Sequence, residues 1–191
     1  MNHVRQIKVL LLVAMMVLLN ACAAPIDMAA QRAVRVDVLT RDIQQLSPAI
    51  SWQEAHDFAS VAVETSAELG LKYEVVLKPW LHNLSVVTGL KQRGLCYEYA
   101  KDLYASLKLV SSEHLVMYYV RANRGKINEH HALTVVVKDA EWDSGLILDA
   151  WRSNGNLYFA PLKADKYPWV YEANAPFASA NATASTEPGA Q

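Results

Sequence analysis

The chain has 191 residues, 52% of them hydrophobic and 19% charged, with 18 Lys+Arg against 19 Asp+Glu and two cysteines. This size suits one domain with a sizeable core, and the composition excludes a wholly disordered chain, a collagen-like chain and a disulfide scaffold. The balanced charge supplies neither a basic surface for nucleic acid nor an acidic solvating tail.

Arg5 and Lys8 precede an apolar run of 11 residues, Val9 to Leu19. That run is short for a bilayer span and has the length of a signal h-region. It ends in Leu19-Asn20-Ala21-Cys22, which resembles the lipobox of bacterial lipoproteins. The resemblance implies that residues 1–21 are a lipoprotein signal peptide and that Cys22 carries the lipid. Removing 21 of the 191 residues leaves a mature chain of 170, anchored by acyl chains. Ala23, not Asp, follows the cysteine, which under enterobacterial sorting points to the outer membrane, facing the periplasm. With Cys22 lipidated, Cys96 is the one remaining thiol in an oxidising compartment. Such a cysteine is buried, paired with another chain or used.

Residues 22–47 read as a tether followed by an uncertain first helix. Ser51-Trp52-Gln53-Glu54 has capping-box spacing and predicts a helix that Gly70 stops. Pro79 opens the next, with Leu81, Leu84 and Val87 on one side and Gly89 at its end. A third helix starts near Cys96, with Tyr99, Leu103 and Leu107 on its apolar face. The period then changes from helical to alternating. Strands are expected over 114–121, 131–138, 146–151 and 157–162, with Asn154-Gly155 as a hairpin signal and a short fifth strand over 167–171. Residues 174–191 are Ala-, Ser- and Thr-rich without period and read as a disordered tail. The fold class is therefore α+β: N-terminal helices, one bearing the cysteine, packed on an antiparallel sheet of four or five strands. The domain itself is placed over 48–173.

Gly94-Leu95-Cys96-Tyr97 sets a thiol at a helix start, where free N–H groups and the helix dipole favour a thiolate. A thiolate nucleophile needs an imidazole to manage its proton and a carboxylate to orient that imidazole. Glu129-His130-His131-Ala132 opens the second strand, and Leu148-Asp149-Ala150-Trp151 places an acid in the third. An aspartate among Leu, Ile and Trp is costly unless paired, and a histidine on the neighbouring strand is a natural partner.

Gly-x-Cys-x-x-x-Ala, a His-Ala at a strand start and Leu-Asp on the next strand together resemble the transglutaminase-like superfamily of papain-like cysteine enzymes. The resemblance spans about residues 78–172. More narrowly, the chain resembles a proteobacterial lipoprotein group through Leu81-His82-Asn83, Arg93 to Tyr97, Glu129-His130, Leu148 to Arg152 and Tyr167-Pro168-Trp169. It implies a Cys-His-Asp triad and acyl transfer at amide or ester bonds: a peptidase or amidase with water as acceptor, a transglutaminase with an amine. It implies the fold more firmly than the activity, because fold does not fix function.

Both histidines stand as the candidate base. Strand alternation sets His131 with Leu133, Val135 and Val137, and His130 with Ala132, Thr134 and Val136. The first set is the more apolar and faces the Cys96 helix, which favours His131. The Glu-His pairing of the narrower group favours His130. The candidate site is thus Cys96, His130, His131 and Asp149. Gln92 is a further candidate, as an oxyanion donor beside the Cys96 N–H. No metal-ligand spacing is present, and the chemistry requires no cofactor. The expected partners are a protein, peptide or cell-wall peptide substrate and the membrane through Cys22, with no nucleic acid and a monomeric chain. A catalytically inactive envelope protein that uses the same fold for binding is the alternative.

Overall fold

The computed structural model describes residues 28–74 and 78–173. The signal, the lipobox with Cys22 and the tail over 174–191 lie outside the described residues. The chain divides into a short unit, residues 1–31, and a body, residues 32–191.

Helix α1 (Met28–Gln44) is the first helix expected within residues 22–47, and it takes up most of the length assigned to tether and helix together. Its Val36, Leu39, Thr40 and Ile43 are buried, a spacing of three and four that makes one apolar stripe. Helix α2 (Trp52–Lys72) starts where the capping signal places it: the Ser51 side chain accepts the Glu54 N–H at 3.1 Å. The other half of the capping box is absent, because the Glu54 carboxylate leaves the helix for the start of the first strand. Its Oε1 accepts from the Ser112 hydroxyl at 2.7 Å and from the N–H groups of Glu113 and His114 at 3.0 and 2.8 Å.

Gly70 does not end α2, which continues to Lys72. The glycine serves a close approach instead. A Cβ there would come within 2.6 Å of the Asn154 carbonyl oxygen, so only hydrogen lets the helix meet the turn at Asn154-Gly155. The Ser66 hydroxyl donates to the Gly155 carbonyl at 2.8 Å and fastens the same contact. Helices α3 (Pro79–Val87) and α4 (Cys96–Leu107) follow. Pro79 stands at the start of α3, where its missing N–H costs nothing.

The five strands are β1 (Leu115–Ala122), β2 (His130–Val137), β3 (Leu146–Asp149), β4 (Tyr158–Pro161) and β5 (Trp169–Tyr171). They form one antiparallel sheet in the order β4-β3-β2-β1-β5. The first four make a meander, and β5 returns to pair with β1. The architecture is α+β, as the change of period predicts.

Alternation divides the sheet's residues between two cores. Tyr119, Leu133, Val135, Leu146 and Leu148 join Leu39, Phe58, Tyr99 and Leu103 of the helices in the main core. Val120, Ala122, Ala132 and Ile147 face the other way and pack with Leu162 and Trp169. Each fully buried Leu, Ile or Phe contributes roughly 1.5–3 kcal/mol.

This division decides where the candidate residues go. Leu133 pairs with Leu148, so Ala132 and Asp149 share the face opposite the helices, and His130 lies two residues along it. Diagonal neighbours on one face are within reach of long side chains. His131, one residue on, faces the helices.

Candidate active site

The cysteine loop is held from several sides. Gly94 has φ +121°, a conformation open to glycine and strained for other residues. Its missing Cβ is also a steric requirement, because one built there would lie 2.1 Å from His82 Nε2. That ring is buried and donates to the Arg93 carbonyl at 2.9 Å. On the other side of the loop the buried Glu98 carboxylate accepts the Gly94 and Leu95 N–H groups at 2.7 and 3.1 Å, and Arg93 Nε at 2.9 Å. Glu98 thus satisfies N–H groups at the helix entry and fixes the two residues before the cysteine. The sequence signal for this role is the acid in the first turn of α4; nothing in the Cys-His-Asp pattern points to it.

Cys96 begins α4 and its thiol rests on the backbone on either side of His130. Sγ lies 3.9 Å from the Glu129 carbonyl oxygen and receives the His131 N–H. Burial pushes the thiol up to about 11, with the Asp149 charge adding to the effect. The N–H groups of His131, Tyr97 and Cys96 pull it down without overcoming the burial. The resting thiol is therefore neutral, in contrast to the thiolate that its place at a helix start alone would favour.

His130 and Asp149 meet as the strand faces require. His130 Nε2 is 2.6 Å from Asp149 Oδ2. His130 Nδ1 is buried and has no hydrogen-bond partner among the described residues. Trp151, Tyr167 and Trp169 surround the imidazole with ring centroids at 4.8, 4.8 and 5.4 Å. Cys96, His130 and Asp149 are only 7%, 2% and 1% exposed.

Asp149 carries more than the histidine. Its Oδ1 accepts the N–H groups of Trp151 and Arg152 at 3.1 and 3.0 Å. These bonds turn the chain, so β3 ends at Asp149 rather than continuing to Trp151. Its Oδ2 also takes Arg152 Nε at 2.9 Å. The Arg152 guanidinium then grips Asp165 with two bonds, 2.9 and 2.6 Å. Asp165 in turn accepts Trp169 Nε1 at 2.9 Å. Asn83 Oδ1 accepts Trp151 Nε1 at 3.1 Å. Helix α3 therefore touches both sides of the site, the cysteine loop through His82 and the Asp149 turn through Asn83.

His131 belongs to a different group. Its Nδ1 is 2.7 Å from the Tyr119 hydroxyl and its Nε2 is 3.0 Å from Glu129 Oε1. The ring stacks on Tyr119 and meets Tyr97 edge-on. Burial holds this imidazole below its ordinary value, against the pull of Glu129. Gln92 is exposed and lines a cavity of about 390 Å³ with Lys72, Tyr73, Glu74, Leu90, Lys91 and Arg93.

Among the described residues no group of three or more His, Cys, Asp or Glu side chains could hold a metal ion, and no helix is long and apolar enough to cross a membrane. No family model matches the chain, and no curated protein or solved structure shows significant similarity to it.

Proposed function

We propose that the chain is a lipid-anchored cysteine enzyme of the bacterial envelope that transfers acyl groups from amides or esters. One observation carries the reading. His130 has one nitrogen committed to Asp149 and the other buried with no partner among the described residues, while the Cys96 thiol lies against the backbone on both sides of it. An imidazole oriented by a carboxylate and offering a free nitrogen is what a thiol needs to lose its proton.

In this reading the Cys96 sulfur attacks the carbonyl carbon while His130 Nδ1 takes the thiol proton. The tetrahedral oxyanion forms near the Cys96 N–H at the start of α4, which can stabilise it. The carbon–nitrogen or carbon–oxygen bond breaks, and His130 returns its proton to the departing amine or alcohol. Water or a second amine then attacks the thioester, with His130 as base, and frees the cysteine. Asp149 keeps the imidazole in orientation and balances its transient positive charge. The closed site opens to substrate by movement of the aromatic cover formed by Trp151, Tyr167 and Trp169. The lipid at Cys22 sets the protein among peptides and cell-wall peptides.

The buried, neutral thiol favours a second reading, an inactive envelope protein that retains the fold for peptide or protein binding. Acylation separates the two. The full-length protein is mixed with p-nitrophenyl acetate, and nitrophenol release is followed together with intact mass. An enzyme gives a burst and one acetyl group on Cys96, both lost in Cys96→Ala and His130→Asn. Slow acetylation that does not depend on His130 would overturn the catalytic reading. Incorporation of an alkynyl fatty acid, lost in Cys22→Ser, tests the anchor.

A further inference from the structure

The Asp149 carboxylate is shared between two donors. Oδ2 faces both His130 Nε2, at 2.6 Å, and Arg152 Nε, at 2.9 Å. The Arg152 guanidinium is sandwiched between the Tyr158 ring, 3.8 Å from its centroid, and the Tyr167 ring at 5.0 Å. Its remaining nitrogens are clamped by Asp165. The Asp149 and Asp165 side chains are 0% and 1% exposed and that of Arg152 is 14% exposed. Charges this poorly hydrated are weakly screened, and the arrangement is costly unless each charge is paired.

We propose that Arg152 and Asp165 are positioning residues for His130, acting through Asp149. This rests on the reading of His130 as the base. Arg152 has two effects that oppose each other. It fixes the carboxylate so that one Oδ2 lone pair meets the imidazole, and its positive charge withdraws part of that carboxylate's support. Asp165 compensates by holding the guanidinium from the far side. Two carboxylates around one guanidinium leave the cluster with a net charge of about −1, available to stabilise the imidazolium. Asp165 also receives Trp169 Nε1, so the compensating group is fastened to the aromatic cover of the histidine.

The other charged and titratable groups around His130 do not share this arrangement. From α4 the Cys96 thiol lies against the backbone on either side of it. Along the chain Glu129, just before β2, and His131 flank it, paired with each other. From the segment before β5 Tyr167 packs on it, and Trp151 and Trp169 are uncharged. Arg152 and Asp165 are therefore the pair whose removal changes its field with opposite sign.

The test titrates the His130 imidazole by NMR in the full chain, its resonance assigned by loss in His130→Asn. Arg152→Met is expected to raise the midpoint by about one pH unit, since a cation near the imidazolium is removed. Asp165→Asn leaves Arg152 uncompensated and is expected to lower it by a similar amount. Arg152→Lys keeps the charge and stays near the native midpoint. A purely structural Arg152 would give loss of folded protein or no movement, not shifts of opposite sign. Unmoved midpoints in folded Arg152→Met and Asp165→Asn would overturn the proposal; if Arg152→Met does not fold, the isosteric Asp165→Asn decides alone. Acylation of Cys96 is followed in parallel. Acylation independent of His130 would sink the catalytic reading itself, whereas His130-dependent acylation with unmoved midpoints sinks only the roles of Arg152 and Asp165.

Discussion

Gly94 and His82 occupy neighbouring space so tightly that a Cβ on Gly94 would stand 2.1 Å from His82 Nε2. The contact joins α3 to the residue two before the cysteine and fixes where α4 begins. Gly94→Ala must both displace the ring and hold φ +121° with a side chain. We expect a loss of about 2–4 kcal/mol in chemical denaturation, from strain and overpacking together. His82→Ala gives the methyl room but leaves the backbone strain. In that background the glycine substitution should cost at least about 1 kcal/mol less. Equal costs in both backgrounds would show that His82 does not govern the site.

The acid limb of stability should report Glu54. Burial raises this carboxyl, but hydrogen bonds from His114 and Ser112 outweigh it and hold it at about 2. Its folded value lies below its unfolded one. The stabilisation is therefore complete above the unfolded value and is lost as pH falls from about 4.5 through about 2. Allowing for partial hydration, it amounts to about 2 kcal/mol at neutral pH. Glu54→Gln should be less stable at pH 7 by roughly this amount, and the gap should close by about pH 2. A gap that stays constant with pH would mean that the contact works through packing alone.

The fold class was legible because its signals are local. The capping serine at Ser51, Pro79 at a helix start and the runs of alternating residues each act within a few positions. The stretch that became α1 was less legible, because its buried stripe of Val36, Leu39, Thr40 and Ile43 is narrow and includes a threonine. The Gly70 signal misled for a tertiary reason: the glycine meets Gly155 across the fold rather than ending a helix. At the site, Cys96, His130, His131 and Asp149 could be named from sequence, and Asp149 paired with a histidine of the neighbouring strand, but not which histidine. That depends on the register of β2 on β3, which no local signal sets. Glu98 was marked only as the acid in the first turn of α4 and Arg152 only as part of the motif after Leu148; Asp165 acts through contacts with other functional groups, and nothing marked it.

The buried thiol makes an alkaline prediction. Burial raises Cys96 from 9.0 to about 11. The folded state thus favours the neutral thiol, and the resulting stability is present below the unfolded value and lost as pH rises through the folded one. Between about pH 9 and pH 11 the native protein should lose about 2 kcal/mol relative to Cys96→Ala. Tyr73, Tyr99 and Tyr119 are also raised by burial. Their burial contributions are common to both proteins and cancel in the difference; the part of the Tyr119 shift that comes from the Cys96 charge does not, and adds to the Cys96 effect. A difference that does not change with pH would place the thiol in a wetter environment than its burial implies.

The two histidines should separate cleanly. His130 holds Asp149 and has one ring nitrogen with no partner among the described residues, whereas both nitrogens of His131 are engaged, one with Tyr119 and the other with Glu129. The contact from His131 to the thiol is through its backbone N–H, which a side-chain substitution leaves in place. His130→Asn should slow acylation of Cys96 by p-nitrophenyl acetate by about 10²–10⁴-fold, the usual effect of removing a general base. Asp149→Asn should slow it by about 10²-fold or more, since the imidazole loses its orienting anion. His131→Ala should instead lower stability by about 1–2 kcal/mol through the broken Tyr119 and Glu129 bonds, with acylation within about tenfold of native. Acylation rates at matched folded fraction, set by circular dichroism, check the assignment. A collapse of acylation in folded His131→Ala, with His130→Asn active, would move the base to the helix-facing side of the sheet and leave the His130–Asp149 pair with a structural role.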